Sequence, residues 1–445
     1  MEQSAPFAVQ VYAKFWRVDT DGAEPGIHYV QLLGILRRER YNRWITFEYE
    51  AAEPEAIGIP GPRILAVPPE RGLATPMPRI KIGVVGCGLI AQVMHLPHLR
   101  EVEDLYEIVA LCDISPGALR FVGDRYGVTR RHDDWRDLLK EPLDAVLIAT
   151  AGSHAPIALA ALGAGKHVLT EKPMCYTLRE ADELVDAVAR TGLTFMVAYM
   201  KRYDPGYRYA LTVLPAMRGE LRYVMVTVFH PSERAQTVHH DIRRFRDIPP
   251  DVAARLAAEE DALIREAIGP FTPRERWAFS EALLSTLVHD VNALRGLVGE
   301  PDDVVVTEFW ARGESLVSLL RYPQGFRVLI SLQCLWDLAD YREEIGLYAP
   351  GARLRLCFPS PFYRNEPTPV LVSGMEGEAA WEKRVVASYR EAFKEELLHF
   401  AECVEHGRRP LTSVEDGRAD ITWLHRMWMA RTSRSVEELR AMPVA

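Results

Sequence analysis

The chain has 445 residues, of which 26% are charged and 48% apolar, with a formal net charge of −9. That is enough for two or three domains with ordinary cores, and no basic block of the kind that holds nucleic acid is present. No apolar run reaches the length of a membrane span, the opening residues 1–6 lack the basic and apolar regions of a signal peptide, and a cytoplasmic protein is expected.

The six cysteines are scattered without C-x-x-C spacing and mostly lie in apolar runs. They read as free thiols, and no spacing points to a metal. Residues 7–18 have strand character, 29–40 read as an amphipathic helix and 44–49 as another strand. A proline- and glycine-rich linker, 53–78, follows. The run 80–85 then predicts a buried strand that ends at Gly86. Gly86, Gly88 and Ala91 fill the small-residue positions of G-x-G-x-x-G/A, with Leu89 and Ile90 between them, and a helix is predicted to follow. A helix start of this kind offers free N–H groups and a positive dipole end to phosphates. A second apolar run, 107–112, ends at Asp113, about twenty residues on, where a carboxylate meets a ribose hydroxyl; a strand-capping role is the plain alternative. The carboxylate favours NAD, while Arg120 and Arg125 farther along keep NADP open.

The alternation of strand and helix continues, as a parallel sheet with crossover helices requires. The apolar strand 143–150 ends at Thr150 and is followed by the loop 151–154, with His154 as its last residue. A helix over 156–162 leads to a short strand, 167–170, which delivers Glu171-Lys172-Pro173. A helix over 178–190 and a sixth strand over 194–199 complete this half. In the second half 221–229, 304–310, 315–322, 326–335 and 343–348 read as strands, 283–297 as a helix, and 251–281 as a charged helical insertion.

The run Gly86-Cys87-Gly88-Leu89-Ile90-Ala91, then Ile148-Ala149-Thr150, then 164–173 ending in Glu171-Lys172-Pro173, resembles the Gfo/Idh/MocA oxidoreductases. Residues 201–205 and 407–417 extend the resemblance over roughly 79–438. It implies a Rossmann NAD-binding domain over 78–203, then an α+β domain over 204–445 with a large, open, mostly antiparallel sheet. One face of that sheet would carry the substrate pocket and the other an oligomer contact, in a dimer or tetramer. A C-terminal helix packing back on the first domain is also expected. The first 77 residues resemble the last two β-α units of the sugar phosphate isomerase/epimerase barrels, through 13–15, 19–25 and 41–50. Two units cannot close an eight-stranded barrel, so isomerase activity is not implied.

Oxidation of an alcohol needs a group that accepts the hydroxyl proton and a cation that steadies the alkoxide. Lys172 follows a buried strand, precedes a proline and is the candidate cation. His289, in the run 287–295, matches the family's catalytic-histidine helix, and a neutral imidazole suits proton transfer. The family commonly has an aspartate one helical turn earlier; here that position is Ser285. Either Lys172 and His289 suffice, Asp290 substitutes, or the reaction differs. His154 matches a loop histidine beside the cofactor, with helix capping as the alternative; Glu171 would lie near the nicotinamide ribose or orient Lys172. Arg202, Tyr203 and His230 are expected at the substrate pocket. The resemblance implies an NAD(P)-dependent dehydrogenase of a sugar, inositol or related polyol. The alternatives are a glycoside-cleaving enzyme with transient oxidation and a non-catalytic sensor of NAD or sugar.

Overall fold

The structure, a computed structural model, describes residues 11–15, 45–49 and 79–440. The chain divides into two compact units, Met1–Met77 and Pro78–Ala445. In the first, β1 (Val11–Phe15) pairs in parallel with β2 (Ile45–Tyr49). The helix expected over 29–40, the linker and the rest of the isomerase-like segment lie outside the described residues.

The second unit opens with a six-stranded parallel sheet. Its strands are β3 (Ile80–Val85), β4 (Tyr106–Cys112), β5 (Arg130–His132), β6 (Ala145–Ile148), β7 (His167–Thr170) and β8 (Phe195–Val197), in the order β5-β4-β3-β6-β7-β8. All of β6 is buried, as are Ile82 to Val85 of β3, which is what a strand covered on both faces requires. The order reverses beside β3, so the crevice for a ligand lies at the C-terminal ends of β3 and its neighbours. The crossover helices are set by local chemistry. Ser115 caps Pro116–Tyr126 by accepting from the Ala118 N–H, and Gly127 ends it in the left-handed region. Thr177 and Glu180 form a reciprocal capping box at the start of Leu178–Thr191. The helix after the glycines differs from the expected one. It begins as a π turn, Ala91–His95, and becomes α-helical over Leu96–Glu101. The change falls beside Pro97, which has no N–H to give the regular ladder.

The turn Met200–Arg202 and the helix Pro205–Val213 lead into the second sheet. Its strands are β9 (Tyr223–His230), β10 (Asp303–Trp310), β11 (Ser315–Arg321), β12 (Arg327–Cys334), β13 (Arg342–Ala349), β14 (Ala352–Phe358), β15 (Pro369–Glu376) and β16 (Ala379–Val386), in the order β10-β11-β12-β9-β13-β14-β15-β16. Every pairing is antiparallel except β12 with β9. Alternation gives the sheet one dry face. Val224, Val226 and Val228 of β9 and Ile345 and Leu347 of β13 join Leu287, Val291 and Leu294 in one core. Between them, Met225, Thr227 and Phe229 stay half-buried on the other face.

The helix read over 283–297 is a π-helical stretch, Ala278–Leu287, running on into Val288–Val298. The charged insertion is a helix, Pro250–Ile268, with Ile264 as its one buried residue. It meets the first domain through Arg179–Glu266 and a 2.7 Å hydrogen bond from Tyr176 Oη to Glu260. The helix Val414–Met429 packs on Leu178–Thr191, and a Cβ on Gly417 would stand 2.7 Å from Met174 Sδ. Asn292 Nδ2 donates to Asp420 at 2.7 Å and Arg295 pairs with the same carboxylate, so the helix Val414–Met429 ties the two domains together. Among the described residues no helix is long and apolar enough to cross a membrane, and no group of three His, Cys, Asp or Glu could hold a metal ion.

Candidate active site

The glycine turn has the shape of a phosphate cradle. Gly86 sits at φ +102°, and its N–H donates to Cys112 O at 2.8 Å. A Cβ there would stand 2.4 Å from Ala149 O, so a side chain cannot be accommodated. Gly88 is the opposite case: nothing lies within 4 Å of where its Cβ would be. Its backbone faces open space, as close approach by a pyrophosphate demands. Leu89 and Ile90 pack with Val93, Met94, Met200 and Phe393. Asp113 accepts the Cys87 N–H at 2.6 Å and the Ser115 N–H at 2.7 Å. Burial pushes its carboxyl up, and those two N–H groups pull the other way. A carboxylate can accept about four hydrogen bonds, so both ribose hydroxyls find room. These residues fit a dinucleotide.

Past β6, the buried His154 ring spans two loops. Its Nδ1 lies 2.7 Å from Glu171 O and its Nε2 2.9 Å from Thr150 O. It precedes the helix Ala155–Gly163 but makes no side-chain cap bond, so its ring ties strand ends together rather than capping the helix. Glu171 holds His95 Nε2 at 2.7 Å through one oxygen and accepts the Lys172 backbone N–H at 3.1 Å through the other. Burial pushes this carboxyl up, but His95 and Lys172 outweigh it and the net direction is down.

Lys172 and His289 come together. Lys172 Nζ donates to Ser285 O at 2.8 Å, and His289 lies one turn farther along the same helical run. Burial lowers the Lys172 pKa against Glu171 and Glu281. The His289 ring packs edge-on to Tyr199, centroids 6.2 Å apart, and its buried Nδ1 has no partner among the described residues. Burial, then the Lys172 and Lys201 charges, hold its pKa well below 6.5. The ring is therefore neutral at physiological pH.

A second lysine completes the group. Lys201, from the turn after β8, is buried against Glu343 and has Asp290 Oδ1 at 3.7 Å and the Phe358 ring at 5.3 Å. Burial draws its pKa down to about 8. Tyr341 donates its hydroxyl to Glu343 and stacks edge-on to His230 at 5.8 Å. Beyond Lys201 opens a small recess lined by Lys201, Asp204, Phe358, Tyr363, Glu391 and Phe393.

Four expectations need correction. Ser285 contributes its backbone carbonyl rather than its side chain, and it holds Lys172, not His289. Asp290 is the partner of Lys201, not a carboxylate substituting beside the imidazole. Arg202 is held by Asn292 and Asp416 at 3.3 and 3.4 Å. Tyr203 is 1% exposed, with its hydroxyl on Thr412 at 2.7 Å. Both are committed to the domain junction rather than to a pocket. His230 stays in the group: Lys172 and Lys201, after burial, lower its pKa. Lys201, Glu343 and Tyr341 were not singled out from the sequence. The signal for Glu343 was an acidic side chain in register with the inward-facing Ile345 and Leu347; for Lys201 it was a charge directly after a buried strand.

Residues 80–199 match the Gfo/Idh/MocA family model, described as "Oxidoreductase family, NAD-binding Rossmann fold". The chain is 27% identical over 249 residues to inositol 2-dehydrogenase of Salmonella typhimurium, covering 55% of this chain and 62% of that protein's length. It is 23% identical to myo-inositol 2-dehydrogenase of Thermotoga maritima over 76% of this chain and 92% of that protein. In three dimensions it is similar to KijD10, a 3-ketoreductase of Actinomadura kijaniata solved with NADP and TDP-benzene. The TM-score is 0.60 at 21% identity, over 79% of this chain and 98% of that one. That likeness shows the fold.

Proposed function

We propose that the chain, whose nucleotide domain matches the Gfo/Idh/MocA oxidoreductases, transfers a hydride between NAD(P) and a hydroxyl-bearing or keto carbon of a sugar, inositol or related polyol. The observation that carries this reading is the Lys172 ammonium on the Ser285 carbonyl, beside a neutral His289, at the carboxyl edge of the parallel sheet. The inositol 2-dehydrogenases among the relatives support the substrate class.

The chain's own residues divide the work. Gly86, Gly88, Leu89 and Ile90 receive the pyrophosphate; Asp113 takes the adenosine ribose hydroxyls; Thr150, His154 and Glu171 frame the nicotinamide side. The bound nicotinamide supplies the hydride acceptor or donor. Lys172 donates a hydrogen bond to the reacting oxygen and stabilises the negative charge that grows there during oxidation. His289 accepts the hydroxyl proton at a ring nitrogen. An imidazolium so close to two ammonium groups is unfavourable, so the ring releases that proton to water and returns to its neutral form. In the reverse direction the same His289 nitrogen gives the proton back to the ketone oxygen, while Lys172 polarises that oxygen. Lys201 and His230 hold further substrate hydroxyls, and Lys201 is kept charged by Asp290 and Glu343.

Residues 78–203 serve as the nucleotide domain and 204–445 as the substrate and oligomer domain. The test is a panel of inositols, aldoses and their keto forms with NAD and NADP, following reduced-nucleotide absorbance. Turnover of a polyol that Lys172→Ala abolishes is the expected result. No turnover of any member, together with no nucleotide binding, overturns the reading.

A further inference from the structure

The second domain sends a strap across the nucleotide domain. Residues 241–247 lie between the helices Glu233–Thr237 and Pro250–Ile268. The strap is clasped at its middle by Gln92, which stands in the π turn after the glycines. The Arg243 N–H donates to Gln92 Oε1 at 3.0 Å, and Gln92 Nε2 donates to Arg243 O at 3.1 Å and to Cys87 O at 2.8 Å. The strap then runs to the start of the helix Pro116–Tyr126. There Asp247 accepts the Ser115 hydroxyl at 2.5 Å and the Gly117 N–H at 2.7 Å. Phe245 lies 6.1 Å from the Phe121 ring, and a Cβ on Gly117 would stand 2.4 Å from Phe245 and 2.7 Å from Asp247. The fit leaves no slack.

The seat that Asp247 fills is an anion seat, and its position matters. Ser115 also donates its N–H to Asp113, the carboxylate assigned to the ribose 2′-hydroxyl. A phosphate on that hydroxyl would extend to the next donors along the chain. Those are the Ser115 hydroxyl and the Gly117 N–H at a helix N-terminus, with an arginine nearby to hold the added charge. Each of these is already engaged. Asp247 has both donors and lies near Arg120. Asp241 has Arg125, which donates to its carbonyl at 3.2 Å and pairs with its carboxylate at 3.6 Å.

Resting on the nucleotide reading above, we propose that Asp247 is a specificity-determining residue: its carboxylate occupies the place of an NADP 2′-phosphate, so that the strap selects NAD. The phosphate would have to displace Asp247 from its donors while facing Asp113, and Arg125, suited to it, is held by the strap at Asp241. A free 2′-hydroxyl meets none of this.

The test is nucleotide affinity, measured by calorimetry on the full chain without substrate. Wild type is expected to bind NAD more tightly than NADP. Asp247→Ser and Asp247→Ala are expected to lower the ratio Kd(NADP)/Kd(NAD) at least tenfold, and Asp247→Asn less. Phe245→Ala, which loosens the strap and leaves the carboxylate, shifts the ratio in the same direction by a smaller factor. Unfolding scans on each variant verify the fold. A ratio that stays put in both Asp247→Ser and Asp247→Ala, with NAD still bound, overturns the inference alone. Tighter binding of NADP than NAD by wild type does the same. If wild type binds neither nucleotide, the oxidoreductase reading falls and takes the inference with it.

Discussion

Among the described residues the Lys172 ammonium has one hydrogen-bonding partner, the Ser285 carbonyl, and in the proposed reaction it is the charge that meets the reacting oxygen. Lys172→Ala is expected to lower kcat by about 10²–10⁴, the usual worth of a positioned acid or base. Nucleotide Kd should be nearly unchanged, since the phosphate and ribose contacts lie on other residues. Single-turnover rates beside a binding titration check the split. A second residue tests burial itself. Glu396 is 0% exposed with both carboxylate oxygens unpartnered, and burial pushes its pKa well above 4.5, with Glu171 adding to the effect. A carboxyl raised in the folded state binds its proton more tightly there than when unfolded. Its contribution is therefore intact below about pH 4.5 and is lost as pH rises toward the folded value. Glu396→Gln keeps the shape and removes the titration. It should raise Tm at pH 8 and change little at pH 4, which thermal unfolding at the two pH values decides.

At the scale of elements, the π-helical stretch Ala278–Leu287 is what presents the Ser285 carbonyl near Lys172, with His289 following in the next helix. Because the backbone does the holding, Ser285→Ala should keep kcat/KM within about twofold, as surface-like changes do. Ser285→Asp should act differently. A carboxylate four residues before the imidazole shares its helix face and favours the imidazolium, opposing the two lysines. The acid limb of the kcat/KM profile should then move to higher pH, and its staying in place argues against the pairing. Neither the carbonyl contact nor the π turn could be read from the chain, because a side-chain pattern of i and i+4 says nothing about which carbonyl is free. Legibility followed burial. The strands β9, β11 and β12 alternate because one face is dry, and the central parallel strands β3 and β6 are mostly apolar. By contrast β16 is exposed along most of its length, so it carries no periodic signal, and β14 and β15 went unread beside it. The glycine cradle, Asp113 and Glu171-Lys172-Pro173 were legible because their chemistry is local. The Lys201–Glu343 pair was not, because it joins a domain crossover to a distant sheet strand.

On the scale of the whole molecule, the eight-stranded sheet has a face that the rest of the described chain does not cover. Met225, Val317, Leu319, Leu329 and Leu371 stand half-exposed there, on β9, β11, β12 and β15. Val224, Leu316, Leu320 and Val328, on the same strands, are 0–1% exposed on the opposite face. A band of partly exposed aliphatic side chains across four strands is a candidate contact surface. A stable contact between copies needs roughly 800 Å² from each partner, which a sheet of this width supplies. The expectation it supports is a homo-oligomer with this face as the contact, which a two-fold arrangement would pair with itself. Light scattering on the 50.4 kDa chain should give a mass at least twice that value. Leu329→Glu puts a charge at the centre of the band, where pairing with a copy sets it against its own image. The expected result is a shift to monomer at micromolar concentration, with nucleotide affinity kept because the cradle lies in the other domain. An unchanged mass for Leu329→Glu would place the contact elsewhere, and a monomeric wild type would remove the reason for the bare face.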